Sequence, residues 1–166
     1  MYQRKIYDYM DMRKALECDY PPPIGVRWVD TNKGDDIVRN YRSRLVAMEF
    51  RRAHTETIFA GTPPQEALSI LLSVAASEDP RGVADPYRIK IIDVKRAHFY
   101  AEAKRKLLIN LPPEDPKSKD PNIRGRLLRT MYGTRDAAAC WEAHYSKILE
   151  DAGMVKGTAA PGVFYC

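Results

Sequence analysis

The sequence predicts an α+β domain, in which a few helices pack beside runs of strands. The predicted elements follow the order helix, hairpin, helix, three strands, helix and strand. This order favours an α+β arrangement over a regular βαβ sheet. A length of 166 residues suits one ordinary domain, or one domain with a small subdomain. A hydrophobic content of 45% and a charged content of 30% are typical of a soluble globular protein.

The first predicted elements are a helix and a hairpin. Residues 2–18 carry apolar side chains at roughly helical spacing, and Pro21-Pro22-Pro23 follows and stops the helix because proline removes backbone donors. Residues 24–29 and 37–48 are strand-like and flank a polar turn. Arg42 and Arg44 share one face of the second strand, where they form either a clamp for an anion or a solvated edge. On spacing alone, the solvated edge is the default.

The next predicted elements are a helix and a strand. Thr62-Pro63-Pro64-Gln65 matches a capping box with proline at the first helical position, and it marks a helix start. Leucines and an alanine then recur at helical spacing, which predicts one buried face. After a polar loop over residues 78–87, the β-branched residues of Arg88–Val94 predict a short, largely buried strand.

Asp93 is the unexplained residue of that strand. It continues the apolar row of Ile89 and Ile91 because side chains alternate at period two. An uncompensated buried charge is expensive, so Asp93 must be solvated, paired with a cation or bound to a metal. The spacing by itself favours a solvated strand end.

The second half of the chain predicts strands at residues 106–111 and 126–131, separated by an exposed excursion over residues 112–124. A helix follows, with Asp136 as its predicted N-cap and Gly153 as its predicted C′ residue. Residues 163–165 begin a last strand.

Composition limits the classes of function. No apolar run is long enough to span a bilayer, and the N-terminus is not a secretory signal. Three widely spaced cysteines fit a reducing interior, so we expect an intracellular protein, cytoplasmic or nuclear and not secreted. A net charge of +5 is compatible with a polyanionic partner but does not require one.

Familiar catalytic and metal-binding patterns are absent. Cys140 and His144 lie at i, i+4 on the predicted helix, but a structural zinc needs four ligands and no further pair completes the set. The sequence has no glycine-rich phosphate loop and no nucleophile elbow. Composition and spacing therefore predict only a basic α+β domain, and they leave the role of one aspartate, Asp93, unexplained.

Six segments, in a fixed order over residues 24–166, resemble copia-type retrotransposon reverse transcriptases. Ile92–Ala97 is similar to the "LDVKTA" strand of that family. The other segments that carry the resemblance are Arg27–Val29 with Tyr41–Ala47, Glu56–Ala60, Leu111–Pro113, Met131–Ala137 with Trp141, and Gly157–Tyr165.

The resemblance implies a partial right-hand polymerase, with the fingers hairpin and part of the palm sheet with its packed helices. The implied activity is that of an RNA-directed DNA polymerase, a nucleotidyltransferase that uses two Mg²⁺ ions. The implied partners are an RNA/DNA template–primer, deoxynucleotides and the rest of a Pol polyprotein, without a membrane. The implied division is an N-terminal helical extension with a proline-rich linker at 1–23 and a partial fingers/palm domain at 24–166, incomplete at its C-terminus.

The resemblance also implies a catalytic site. Asp93 becomes the first of three metal-binding aspartates, joined at Mg²⁺ by the backbone carbonyl of Val94. Arg42 and Arg44 become candidates to hold the incoming triphosphate, because the fork of arginine suits phosphate.

Three further residues are implied to bind the nucleotide. Tyr132 and Gly133 would border its pocket. His98 takes the place of the aromatic residue expected beneath the nucleotide sugar, which leaves sugar discrimination open.

The sequence departs from the family pattern in its metal ligands. The other two aspartates of the family lie in an Asp-Asp hairpin that follows the segment at which this sequence stops, and Asp35-Asp36 falls in the hairpin turn and cannot replace them. We therefore expect these 166 residues alone to lack polymerase activity. The alternative is a non-catalytic, nucleic-acid-binding remnant of a retroelement.

Overall fold

The computed structural model describes residues 5–50, 64–77, 88–160 and 162–166. These residues form a mixture of helices and strands, as the sequence predicts for the α+β class. The strands are β1 Tyr7–Asp11, β2 Val26–Asn32, β3 Tyr41–Ala47, β4 Leu108–Ile109, β5 Ile123–Leu127, β6 Val155–Lys156 and β7 Phe164–Tyr165. The helices are α1 Met12–Glu17, α2 Gln65–Ala76 and α3 Ala137–Asp151, with a 3₁₀ turn at Ala97–Tyr100.

The chain divides into two compact units. The first unit joins Met1–Phe59 to Arg96–Trp141, and the second joins Ala60–Lys95 to Glu142–Cys166. The Glu56–Ala60 segment of the family resemblance and the loop at 78–87 lie outside the described residues.

An antiparallel sheet with the strand order β1-β5-β4 is the centre of the first unit. Tyr7 pairs with Leu127 and Asp11 with Ile123, so the predicted helix over 2–18 is wrong for residues 7–11. These residues are a strand because their backbone groups find partners on β5. Only Met12–Glu17 is helical, and the Asp11 carboxylate caps it by accepting from the Arg13 amide at 2.7 Å.

The core of this unit lies around β4. Leu108 and Ile109 are fully buried, and Leu127 and Met131 pack beside Ile109. Ile24 extends the sheet, because its amide donates to the Leu108 carbonyl at 2.8 Å and its carbonyl accepts from the Asn110 amide at 2.9 Å. The proline-rich stretch therefore leads directly into the sheet.

The predicted hairpin is confirmed as β2 and β3, which pair from Val26 opposite Ala47 to Asn32 opposite Tyr41. The side chain of Asn32 closes the turn by accepting from the amides of Gly34 and Asn40, at 3.0 and 2.9 Å.

The excursion over residues 112–124 is tied to the strands. The Tyr7 hydroxyl donates to Asp115 at 2.6 Å, and the Trp28 indole donates to Glu114 at 3.1 Å. The strand predicted at 126–131 begins three residues earlier, at Ile123, because the register with β1 and β4 covers Ile123–Leu127.

Helix α2 lies in the second unit. It begins at Gln65, with Pro64 in the extended cap position, so the start lies later than the predicted capping box, whose Thr62 and Pro63 are outside the described residues. The predicted buried face is not buried, since Leu72 is 53% exposed. Within the described part of this unit, no helix or strand packs closely against α2.

The segment Arg88–Val94 corrects another prediction. It forms no strand, and Ile91 and Ile92 are 75% and 59% exposed. A strand needs a partner for its backbone hydrogen bonds, and no described strand pairs with this segment.

Helix α3 ends as predicted at Gly153. This residue has φ +87°, its amide donates to the Glu150 carbonyl at 2.9 Å, and the Met154 amide donates to the Leu149 carbonyl at 3.0 Å. These two bonds form a Schellman motif. The predicted last strand is confirmed at Phe164–Tyr165, where it pairs with β6. Among the described residues, none of the helices has the length and apolar character that crossing a bilayer requires.

Candidate functional site

The end of β3 meets the loop at Tyr132 and Gly133. The Ala47 amide donates to the Tyr132 carbonyl at 2.7 Å. Gly133 has φ +84°, and a Cβ at this position would lie 2.0 Å from the Ala47 carbonyl oxygen. Only glycine tolerates both this positive φ and this close approach to the Ala47 carbonyl. A cavity of about 190 Å³ opens beside Gly133, lined also by Arg27 and residues 46–50.

The ring of Tyr132 is the centre of an aromatic and cationic cluster. His98 and Phe99 contact it edge to face, with ring centroids 4.7 and 5.5 Å away. The Arg44 guanidinium carbon lies 5.9 Å from the centroid of the same ring, within cation–π distance. The structure therefore brings together four of the residues singled out from the sequence: Arg44, His98, Tyr132 and Gly133.

Arg42 lies two residues before Arg44 on the same face of β3. The two arginines stand opposite Thr31 and Val29 of β2. Arg42 is exposed and Arg44 half-buried. Among the described residues, neither guanidinium has a carboxylate within ion-pair distance. No described carboxylate therefore competes with an external anion for either cation.

His98 is half-buried beside the first turn of α3. Burial lowers the pKa of His98, and a hydrogen bond to the Ala137 carbonyl opposes the shift without cancelling it. The ring is therefore neutral at pH 7. Since Nδ1 lies 3.3 Å from the Ala137 carbonyl oxygen, we assign the proton to Nδ1, which leaves Nε2 as an acceptor.

A charged network supports the loop that carries Tyr132 and Gly133. Arg105 donates to both oxygens of Glu49, at 2.8 and 2.9 Å, and to both oxygens of Asp136, at 2.7 and 2.9 Å. Glu49 also accepts from the Arg135 amide at 2.8 Å. The network joins the residues after β3 to the start of α3, and so fixes both ends of the loop.

Burial raises the pKa of Glu49 and of Asp136. The hydrogen bonds and the charge of Arg105 lower both pKa values by more than burial raises them, so each pKa lies below its ordinary value. Both carboxylates are therefore ionised at neutral pH.

Sequence analysis missed this network. Asp136 stands at the predicted N-cap position, where its carbonyl accepts from the Cys140 amide at 2.9 Å, but the sequence did not predict that its carboxylate pairs with Arg105. Glu49 and Arg105 belong to no recognised motif. The only sign of the network in the sequence is that three distant segments each contain one of its charged residues.

Asp93 and Val94 lie in the second unit, within the exposed segment that precedes the 3₁₀ turn. Asp93 is exposed, and no described residue forms an ion pair or hydrogen bond with its carboxylate. A free carboxylate and a backbone carbonyl are the hard oxygen ligands that Mg²⁺ prefers. However, the described residues contain no group of three His, Cys, Asp or Glu side chains that could hold a metal ion. The Asp93 carboxylate is thus a suitable ligand for Mg²⁺, but the described residues do not complete the ligand set.

Comparison with known proteins supports the resemblance. The sequence model of the family described as reverse transcriptase (RNA-dependent DNA polymerase) matches residues 7–166. Two similar proteins from Arabidopsis thaliana are the retrovirus-related Pol polyproteins from transposons RE2 and RE1. They are 25% identical over 154 residues and 24% identical over 155 residues. Each match covers 87% of this chain but 10% of the relative. No solved structure matches the chain.

Proposed function

The chain belongs to the reverse transcriptase (RNA-dependent DNA polymerase) family, and from this we propose that it forms the fingers hairpin and N-terminal palm of a right-hand polymerase. The observation that carries the proposal is the convergence of Arg44, His98 and Gly133 on Tyr132. In this proposal β2 and β3 are the fingers, and the three-stranded sheet belongs to the palm. The proposed parent activity is template-directed DNA synthesis. The boundary between an extension at 1–23 and a domain at 24–166 stays a prediction.

The proposed substrate at the Tyr132 cluster is a deoxynucleoside triphosphate. Arg44 and Arg42 lie side by side on one strand face, and no described carboxylate pairs with either, so they can meet the phosphates. In this proposal, Tyr132 and Gly133 border the bound nucleotide. The neutral ring of His98 has Nε2 as a hydrogen-bond acceptor, and we propose that Nε2 accepts a hydrogen bond from a sugar hydroxyl.

The proposed metal ligands on this chain are the Asp93 carboxylate and the Val94 carbonyl. Two bound Mg²⁺ ions would neutralise charge on the triphosphate and the leaving pyrophosphate. Asp93 is exposed and has no partner among the described residues, so its carboxylate is available to such an ion.

The proposed partners are an RNA/DNA template–primer and the remainder of a Pol polyprotein. The chain spans about a tenth of the length of the relatives it matches, which are Pol polyproteins by name. A net charge of +5 favours binding through phosphates. All three cysteines are free thiols, which supports a reducing, intracellular compartment.

A second proposal is a non-catalytic, nucleic-acid-binding remnant of a retroelement. One observation favours it: Asp93 has no companion ligands, because the described ranges hold no group of three metal-binding side chains.

Primer extension tests the first proposal. We expect a polypeptide of the printed 166 residues to extend no primer above a no-enzyme control in Mg²⁺ and deoxynucleotides, because one aspartate does not position two ions. The same polypeptide is expected to bind a template–primer with an affinity that falls steeply as salt rises.

The controls test whether any extension depends on Asp93. Asp93→Ala is compared with Asp36→Ala, a second exposed aspartate in the hairpin turn. Extension by the wild type that disappears only in Asp93→Ala would contradict the expected inactivity, overturn the non-catalytic remnant and support Asp93 as a metal ligand. Binding that ignores salt would contradict both proposals.

A further inference from the structure

The first unit contains a second, larger cavity, of about 620 Å³. It opens between the segment Glu102–Lys106 and the residues of β5 and just beyond it, Arg126–Arg129, with Lys5 and Tyr20 completing its wall. None of these residues belongs to the Tyr132 cluster, so the cavity is not explained by the proposed nucleotide pocket. Its volume falls within the range of about 300–1,000 Å³ that is usual for small-molecule sites.

The wall of this cavity is strongly basic. Six cations line it and four carboxylates pair with them, which leaves an excess of two positive charges. The cations are Lys5, Lys104, Arg105, Lys106, Arg126 and Arg129, and the paired carboxylates are Asp8, Glu49, Glu102 and Asp136.

Lys104 and Lys106 carry the excess charge. Both are exposed, and no carboxylate of the described residues lies within ion-pair distance of either. The Lys106 Nζ donates to the Cys18 carbonyl at 2.9 Å and lies 5.7 Å from the centroid of the Tyr20 ring. Neither the carbonyl nor the ring brings a negative charge that would offset that of the ammonium group, so an anion can still approach it.

The rest of the wall is apolar or aromatic. Leu127 is buried, Ala103 and Leu128 are half-buried, and Tyr20 presents a half-buried ring. Cations beside an aromatic and aliphatic surface suit a ligand that combines phosphate with a flat, weakly polar base.

We propose that this cavity binds a phosphate-bearing ligand of nucleotide chemistry, with Lys104 and Lys106 at the phosphate and Tyr20 beside the base. The phosphate can come from the backbone of a single strand or from a free nucleotide. The site is separate from the Tyr132 cluster and does not depend on polymerase activity.

Two probes distinguish these sources in metal-free buffer. The first is a labelled single-stranded oligonucleotide of roughly 12 nucleotides, measured by fluorescence anisotropy. The second is dATP, measured by calorimetry. For each probe that the wild type binds, we expect Lys104→Glu/Lys106→Glu to weaken binding by about tenfold or more. For the oligonucleotide, the slope of log affinity against log salt is also expected to shrink by about 1.4.

A matched control carries the same change in net charge. Lys119→Glu/Lys147→Glu reverses two exposed lysines outside the cavity wall, and we expect binding within about threefold of the wild type. Lys104→Gln removes one charge and keeps the Lys106–Cys18 hydrogen bond, so it tests the Lys104 charge by itself. Thermal unfolding of every variant confirms that the chain is folded.

Each outcome decides the proposal. Loss of oligonucleotide binding alone identifies a strand backbone as the source, and loss of dATP binding as well identifies the nucleotide. Equal losses in both double variants, or no binding of either probe by the wild type, would overturn the proposal. Loss of binding in Arg44→Ala but not in Lys104→Glu/Lys106→Glu would assign the ligand to the Tyr132 cluster and also overturn it.

Discussion

Replacing Arg105 with methionine is expected to lower the free energy of unfolding by about 3 kcal/mol, because it leaves two partly buried carboxylates without their cation. The side chains of Glu49 and Asp136 are 14% and 10% exposed, whereas that of Arg105 is 34% exposed. This partial exposure places the expected loss at the lower end of the usual range for a broken buried pair. Urea denaturation followed by circular dichroism measures the loss.

Two comparisons isolate the network. Lys5→Met removes the cation of a surface pair with Asp8 and is expected to cost less than about 1 kcal/mol. Adding Glu49→Gln and Asp136→Asn to Arg105→Met is expected to restore part of the lost stability, since the charges that lacked a partner are then gone. Equal losses in Arg105→Met and Lys5→Met would show that the network contributes no more than a surface pair.

The same network sets a dependence on pH. The folded protein holds the pKa of Glu49 and of Asp136 below the ordinary value, so their contribution is complete above the unfolded pKa of about 4. It is lost as the pH falls through the lowered folded values. The wild type is therefore expected to lose stability more steeply below about pH 4 than Arg105→Met, in which the carboxylates lack the cation that lowers their pKa.

Gly133→Ala is expected to lower the free energy of unfolding by about 3 kcal/mol and to displace the loop from β3. The new methyl group meets the Ala47 carbonyl oxygen at 2.0 Å, and backbone atoms cannot move aside as a flexible side chain can. A φ of +84° adds the strain of a left-handed conformation. Urea denaturation measures the first effect and the chemical shift of the Tyr132 ring protons the second.

Gly153→Ala is the matched control. Gly153 has nearly the same dihedral angle, φ +87°, but a Cβ there would meet no atom within 4 Å. This variant therefore reports the conformational cost alone, about 1 kcal/mol. If Gly133→Ala costs no more than Gly153→Ala, the close approach to Ala47 does not exist in solution.

Local patterns were sufficient where an element depends on its own residues. The hairpin β2–β3 follows from alternating strands around a polar turn, and the turn is closed by Asn32 within the same segment. The end of α3 at Gly153 follows from the tolerance of glycine for positive φ.

Local patterns failed where an element depends on a distant partner. Residues 7–11 pair with Ile123–Leu127, more than a hundred positions along the chain, so spacing within the segment could not distinguish strand from helix. Arg88–Val94 has the composition of a strand, but composition does not provide hydrogen-bond partners, and the described structure pairs it with none.

Some residues of the candidate site were predicted from the sequence and others were not. Arg44, His98, Tyr132 and Gly133 came from the order of family segments, and no spacing rule connects them. The Glu49–Arg105–Asp136 network was not predicted, because its pairs are separated by 56 and 31 positions and ion pairs between distant segments leave no periodic pattern in the sequence.

Backbone NMR shifts of the isotopically labelled chain during a titration with dATP test the central claim, that the Tyr132 cluster is a nucleotide pocket. We predict saturable shifts that are largest at Arg44, His98, Tyr132 and Gly133, and that are lost in Arg44→Ala. Shifts confined to Tyr20 and Lys104–Lys106, or no saturable shift at any of the four residues, would contradict the claim.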